Sequence, residues 1–221
     1  MPNTWSWDIF VDENIDAGLL VERTVSLAIE AGFHPGNIYS VMDNEGNEHL
    51  FTDATSRLAW LKIHGGGITH FDTDGNDLDL GFMMSEQPVI SLYVTRRMTQ
   101  DDEAFTLATT RLFGRLIDEF APAYAMSSDE WAYEAYIARY PDTELICEML
   151  TCIERGMPVP YLFWLNYFPE TYLQRIDMSV FAGVVVKTER LRHGSLLYIS
   201  PGAWKPYVAE LGSDGRYHLL T

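Results

Sequence analysis

Cysteine is nearly absent: the 221 residues contain 2, Cys147 and Cys152. Read on one helix and five residues apart, they point about 140° from each other. They are not placed to bridge, and with no histidine nearby they do not suggest zinc. Two half-buried thiols in a reducing compartment is the reading left. Long apolar runs are also missing. The longest lies within Met157–Phe168 and is broken by Pro158, Pro160 and Asn166. A membrane helix needs about 20 apolar residues in a row. Met1 to Asp16 is acidic and has neither the basic start nor the apolar stretch of a signal peptide. The expected location is the cytoplasm.

Cations are scarce too. Lys and Arg total 15 against 32 Asp and Glu, a formal net charge of −17. Such a surface repels phosphate, so nucleic acid and anionic membranes are not the expected partners. Apolar residues are plentiful, at 47%. That fraction supports a packed core and excludes wholesale disorder.

The pattern of elements predicts an α+β fold, with antiparallel sheet carrying helices on one face. A strand is expected over Trp5–Val11 and a helix from Asn14 or Asp16 to Ala31, with Val21, Val25, Ala28 and Ile29 on its apolar side. Asn37–Met42 reads as a strand. Asp53 is placed to cap a helix through Ile63, ended by Gly65-Gly66-Gly67. Three strands follow, Ile68–Thr73, Asp77–Ser85 and Val89–Arg97, with Asp74-Gly75 as a hairpin signal. A helix then runs to Phe120, with Phe105, Ala108, Leu112 and Leu116 on one stripe.

In the second half, Ala123–Met126 reads as a strand. Ser127 or Ser128 is placed to cap a helix over Asp129–Tyr140, and a further helix spans Asp142–Arg155. Tyr161–Phe168, apolar and aromatic apart from Asn166, reads as one central buried strand. Pro169 starts a helical turn through Ile176. Gly183–Glu189 and Ser195–Ser200 form a hairpin, and Tyr217–Leu220 an edge strand. The pattern allows two related subdomains, 1–140 and 141–221, or one continuous domain.

Charge is unevenly spread. Residues 1–86 hold 15 acids and 3 bases, a net of −12, and residues 87–221 a net of −5. Two turns are dense in carboxylates: Asp43, Glu45 and Glu48, then Asp72, Asp74, Asp77 and Asp79. One reading is a solvated surface that keeps the protein soluble. The other is a patch that meets a basic partner, where steering raises association rates about 10–10³-fold.

Motifs for chemistry are weak. Asp72–Asp79 resembles a calcium loop, but glycine falls fourth and the twelfth position is Met83 instead of glutamate. His64-Gly65-Gly66-Gly67 matches an esterase oxyanion string, yet no Gly-x-Ser-x-Gly elbow accompanies it. Helix termination explains it better. His193-Gly194-Ser195 reads as a hairpin loop. A metal-dependent hydrolase using His64, His70 and Asp72 is the rival enzymatic reading, since His70 and Asp72 share one side of a strand. No catalytic residue, cofactor or metal site is assigned. Aromatics reach 13%, including Trp131, Tyr133, Tyr136 and Tyr140 at helical spacing. They serve packing, and aromatics also anchor interfaces.

The segment Pro160-Tyr161-Leu162-Phe163-Trp164-Leu165-Asn166-Tyr167-Phe168-Pro169-Glu170-Thr171-Tyr172 is an apolar strand, a turn and an aromatic helix. It resembles the C-terminal part of bacterial immunity proteins of polymorphic toxin systems. The strand pair around Val184–Lys187 and Ser195–Ile199 and the helix Asp102–Phe120 after Val89–Arg97 are similar too. The group is the one paired with restriction-endonuclease-fold toxins, including TsiT-type proteins that protect against a type VI secretion nuclease effector. The resemblance covers the last third and, more loosely, the middle, and its motifs are packing patterns. It implies cytoplasmic residence, no enzyme activity and tight binding to one toxin. The expected role is therefore an antitoxin that meets a basic nuclease through Asp43, Glu45, Glu48, Asp72, Asp74, Asp77 and Asp79. A scaffold homodimer without a toxin is a further alternative.

Overall fold

The computed structural model describes residues 4–12, 14–35, 39–43, 45–73, 76–84, 89–95, 103–129, 145–199 and 208–220. They fall into two compact units, Met1–Phe120 and Ala121–Thr221. The architecture is α+β and antiparallel, as the sequence pattern predicts.

The first unit contains β1 (Thr4–Phe10), β2 (His34–Pro35), β3 (Ser40–Met42), β4 (Glu48–Leu50), β5 (Gly66–Thr73), β6 (Asn76–Met83) and β7 (Val89–Thr95). Its sheet runs β1-β7-β6-β5-β3-β4, with β2 also paired to β5. Three helices accompany it: α1 (Ala17–Glu30), α2 (Ala54–His64) and α3 (Glu103–Phe120). α1 packs on α2 and α3, α2 on β5, and α3 on β1.

Local chemistry fixes the helix ends. Asp16 caps α1 by accepting from the Leu19 N–H at 2.8 Å, and Asp53 caps α2 by accepting from the Ser56 N–H at 2.8 Å. Leu20, Val21, Thr24, Val25, Leu27 and Ala28 form the buried stripe of α1, whereas Ile29 turns outward, 39% exposed. Arg23 of α1 pairs with Glu119 of α3 at 2.8 Å, and Arg115 of α3 with Glu30 of α1 at 2.6 Å. These pairs are part-exposed, where solvent screening leaves an ion pair little net worth.

The sheet register explains how the core forms. Residues directly opposite in an antiparallel pair share a face. Thr69 lies opposite Leu80, Leu80 opposite Leu92, and Leu92 opposite Trp7. Gly67, Phe82, Ile90 and Ile9 make the next row. The described side chains of both rows are buried. α2 covers this face at Gly67, where a Cβ would lie 2.3 Å from Val41 Cγ1 and 3.1 Å from Leu61 Cδ2. The triple glycine therefore does two jobs. Gly65 takes the left-handed φ of 75° that ends α2, and Gly67 lets the helix approach the sheet.

The second unit contains β8 (Tyr124–Asp129), β9 (Tyr161–Leu162), β10 (Leu165–Pro169), β11 (Lys187–Arg190), β12 (Gly194–Tyr198), β13 (Val208–Leu211) and β14 (Tyr217–Leu220). Its helices among the described residues are α4 (Leu145–Arg155) and the short α5 (Glu170–Leu173), followed by a 3-10 turn at Met178–Phe181. One sheet runs β8-β10-β12-β11 and a second runs β9-β13-β14. β13 carries no signal recognised in the sequence.

Two expectations are corrected here. Ser127 and Ser128 do not cap a helix but lie buried inside β8, which extends to Asp129. The rest of the expected helix, with Trp131, Tyr133, Tyr136 and Tyr140, lies outside the described residues. Tyr161–Phe168 is not one strand. It divides between the two sheets, β9 pairing with β13 and β10 with β8 and β12.

Asn166 explains the division. It is fully buried, and its Nδ2 donates to the Phe163 carbonyl at 2.6 Å. Its Oδ1 accepts from the Phe163 N–H at 3.0 Å and from the Tyr124 hydroxyl at 2.9 Å. The side chain thus satisfies both backbone groups of Phe163, which leave the ladder as the chain changes sheets. Around it, Phe168 packs on Tyr124, Tyr172 and Phe181, and Phe181 stacks on Tyr217 at 5.5 Å. The Tyr172 and Tyr217 hydroxyls donate to the carbonyls of Met157 and Val159, and burial pushes both phenols upward.

Asn166→Ala removes a hydrogen-bond partner from three buried polar groups at once. The expected cost is about 2–4 kcal/mol, read as a lower urea midpoint at unchanged slope. A midpoint within error of wild type contradicts the assignment.

Candidate functional site

The register that dries one face of the first sheet lays out the other. Asp8 lies opposite Ser91, Ser91 opposite Gly81, Gly81 opposite Ile68, Ile68 opposite Met42, and Met42 opposite Glu48. The neighbouring row reads Ser6, Tyr93, Asp79 and His70. Beyond it, Asp72 is paired with both Asp77 and His34. Strand alternation puts all these positions on the side away from α2. Ser6, Asp8, Met42, Ile68, His70 and Asp79 are half-buried, and Glu48 is exposed. Here the Ser6 hydroxyl donates to Asp8 at 3.0 Å, and His70 Nδ1 meets Asp79 Oδ1 at 2.7 Å.

The two acidic turns thus have different fates. Asp72, Asp77 and Asp79 share the polar face, while Asp74 lies outside the described residues. Glu48 joins that face from β4. Asp43 does not, because it organises its own turn. Its Oδ1 accepts from the Glu45 and Asn47 N–H groups at 2.9 and 2.8 Å, and its Oδ2 meets His49 Nε2 at 2.9 Å. These contacts, His49 first, hold the Asp43 carboxyl well below its ordinary value of 3.8. Glu45 is exposed within the turn.

Asp8 escaped sequence reading as a site residue. Its signal is the alternation in Trp5-Ser6-Trp7-Asp8-Ile9, polar against apolar at period two. Arg57 was also missed. It is 1% exposed, bonds the Glu22 carboxylate through Nη2 and lies with its guanidinium 5.6 Å from the Tyr39 ring centroid. It shares its helix stripe with buried Leu61. The cations of the first 86 residues therefore all belong to helices: Arg23 to α1, Arg57 and Lys62 to α2.

The rival metal triad is not assembled. His64 ends α2 and stacks on Trp60 at 4.2 Å, on the sheet side that α2 covers. His70 alternates to the opposite side and pairs with Asp79. Among the described residues no group of three His, Cys, Asp or Glu side chains is placed to hold a metal. None of the helices among them is long and apolar enough to cross a membrane.

No family profile and no curated protein matches the chain. Among solved structures it is similar to the Pseudomonas aeruginosa T6SS protein PA0821. The match has 11% identity and a TM-score of 0.50, covering 91% of this chain and 68% of that one. At that identity the likeness is one of fold.

Asp43 supplies a pH prediction. A carboxyl held low in the folded state stabilises fully above the unfolded value, near pH 4, and progressively less as pH falls through the folded value. The stability gap between wild type and Asp43→Asn should be widest above pH 4 and close toward pH 2. Urea midpoints across that range check it, and a gap independent of pH contradicts it.

Proposed function

We propose that this chain is an immunity protein that binds and neutralises a basic nuclease toxin, using the polar face of its first sheet as the docking surface. The observation that carries the reading is the segregation of charge. Asp8, Glu48, Asp72, Asp77 and Asp79 occupy positions on one side of the sheet, while the cations of the same 86 residues sit on α1 and α2. A concentrated anionic face attracts a cationic protein over several ångströms and orients it before contact. It also occupies the surface with which a nuclease would meet phosphate. The T6SS origin of the structural neighbour supports type VI secretion as the setting, and the resemblance of Pro160–Tyr172 to immunity proteins supports the class. The role asks the chain for no catalytic group.

The test pairs this chain with the product of the neighbouring reading frame. That product should be lethal alone and tolerated on co-expression. Reversing Asp8, Asp72, Asp77 and Asp79 to lysine together should slow association at low salt by about tenfold or more and flatten its salt dependence. Stopped-flow rates equal to wild type at every salt concentration remove this face from the interface.

A further inference from the structure

One cluster of rings lies apart from the docking face. On the covered side of the sheet, the His49 and His64 rings lie 4.7 and 4.2 Å from the Trp60 ring, at 34° and 24° to it. Both imidazoles are within contact distance of the same indole. Phe51 closes the edge at 6.1 Å. His49 belongs to β4, His64 and Trp60 to α2, so the stack ties a sheet-edge hairpin to a helix.

We propose that His49, Trp60 and His64 form a proton-responsive latch that fixes the β3–β4 hairpin, with its acidic turn, against α2. Imidazole is the side chain whose charge ordinarily changes between pH 5 and 8. Protonated, His49 gains an ion pair with Asp43 and a cation–π contact with Trp60. His64 gains a second cation–π contact and sits at the C-terminal end of α2, where positive charge is favoured. The contacts at Asp43 hold its carboxyl well below its ordinary value, so it stays ionised as a partner for His49.

Among the described residues, these charged groups belong to the elements packed here. The hairpin itself offers Asp43, Glu45 and Glu48. α2 offers Lys62 and the capping Asp53, and its Arg57 is taken up by Glu22 of α1. The covered side of β5 presents Gly67, Thr69 and Phe71, none titratable. Asp43 is in direct contact with His49.

Amide hydrogen exchange tests the latch, corrected for intrinsic rates and followed at residues 40–50 between pH 5.5 and 7.5. Protection in the wild-type chain should fall about two- to fivefold as pH rises, the factor expected of an exposed cation–π contact. The change should vanish in His49→Gln and in Trp60→Leu, and shrink in the exposed His64→Gln. Amides of α3 report global stability and should not follow it. Hairpin protection that ignores pH in the wild type overturns the proposal, as does a pH dependence that persists in both His49→Gln and Trp60→Leu.

Discussion

The period-two alternation of an antiparallel strand is the constraint on which the first unit rests. Once α1, α2 and α3 dry one face, every second residue of β1, β5 and β6 is committed to the other. Part of the carboxylate excess falls on those strand positions, and part lies in caps, turns and helices. Trp7 and Ile9 are completely buried while the alternating Ser6 and Asp8 are not, and Leu78 and Leu80 flank half-buried Asp79 in the same way. Core formation and charge display are two results of one register. A slip by a single residue would bury the acids and expose the core.

Much of this was legible in the sequence, because the signals were local. Asp53, Gly65 and the Asp74-Gly75 pair mark α2 and the β5–β6 hairpin through caps and turn chemistry that need no tertiary partner. The stripe Leu112, Phe113, Leu116 and Ile117 marks α3 through periodicity alone. What failed was non-local. Asn166 looked like a polar interruption of a strand, and only its partners Phe163 and Tyr124, the second 42 residues away, show why the chain bends there. Ser127 and Ser128 resemble helix caps in isolation, and pairing of β8 with β10 overrides that preference. The candidate site was half legible for the same reason. Density of carboxylates located both turns, but only the register separates Glu48, which faces out with Asp79, from Asp43, which is used internally.

Buried polar groups in this protein are spent on geometry. Asn166 satisfies a backbone kink, Arg57 ties α2 to α1 through Glu22, and the Tyr172 and Tyr217 hydroxyls meet backbone carbonyls. None of these arrangements brings a nucleophile, a base and an oxyanion donor together. The exposed chemistry is electrostatic: carboxylates at strand positions, with a histidine, His70, against one of them. Such a surface suits recognition of a protein of opposite charge, with rate and register set by the field and affinity set by whatever apolar contact follows.

The most direct measurement is carbodiimide footprinting of carboxylates in the chain, free and bound to the product of the neighbouring reading frame. The account predicts protection of Asp8, Glu48, Asp72, Asp77 and Asp79 in the complex, with Glu154 and Asp214 of the second unit unchanged. Protection confined to the second unit, or a complex in which the five sheet-face carboxylates label as fast as in the free chain, would contradict it.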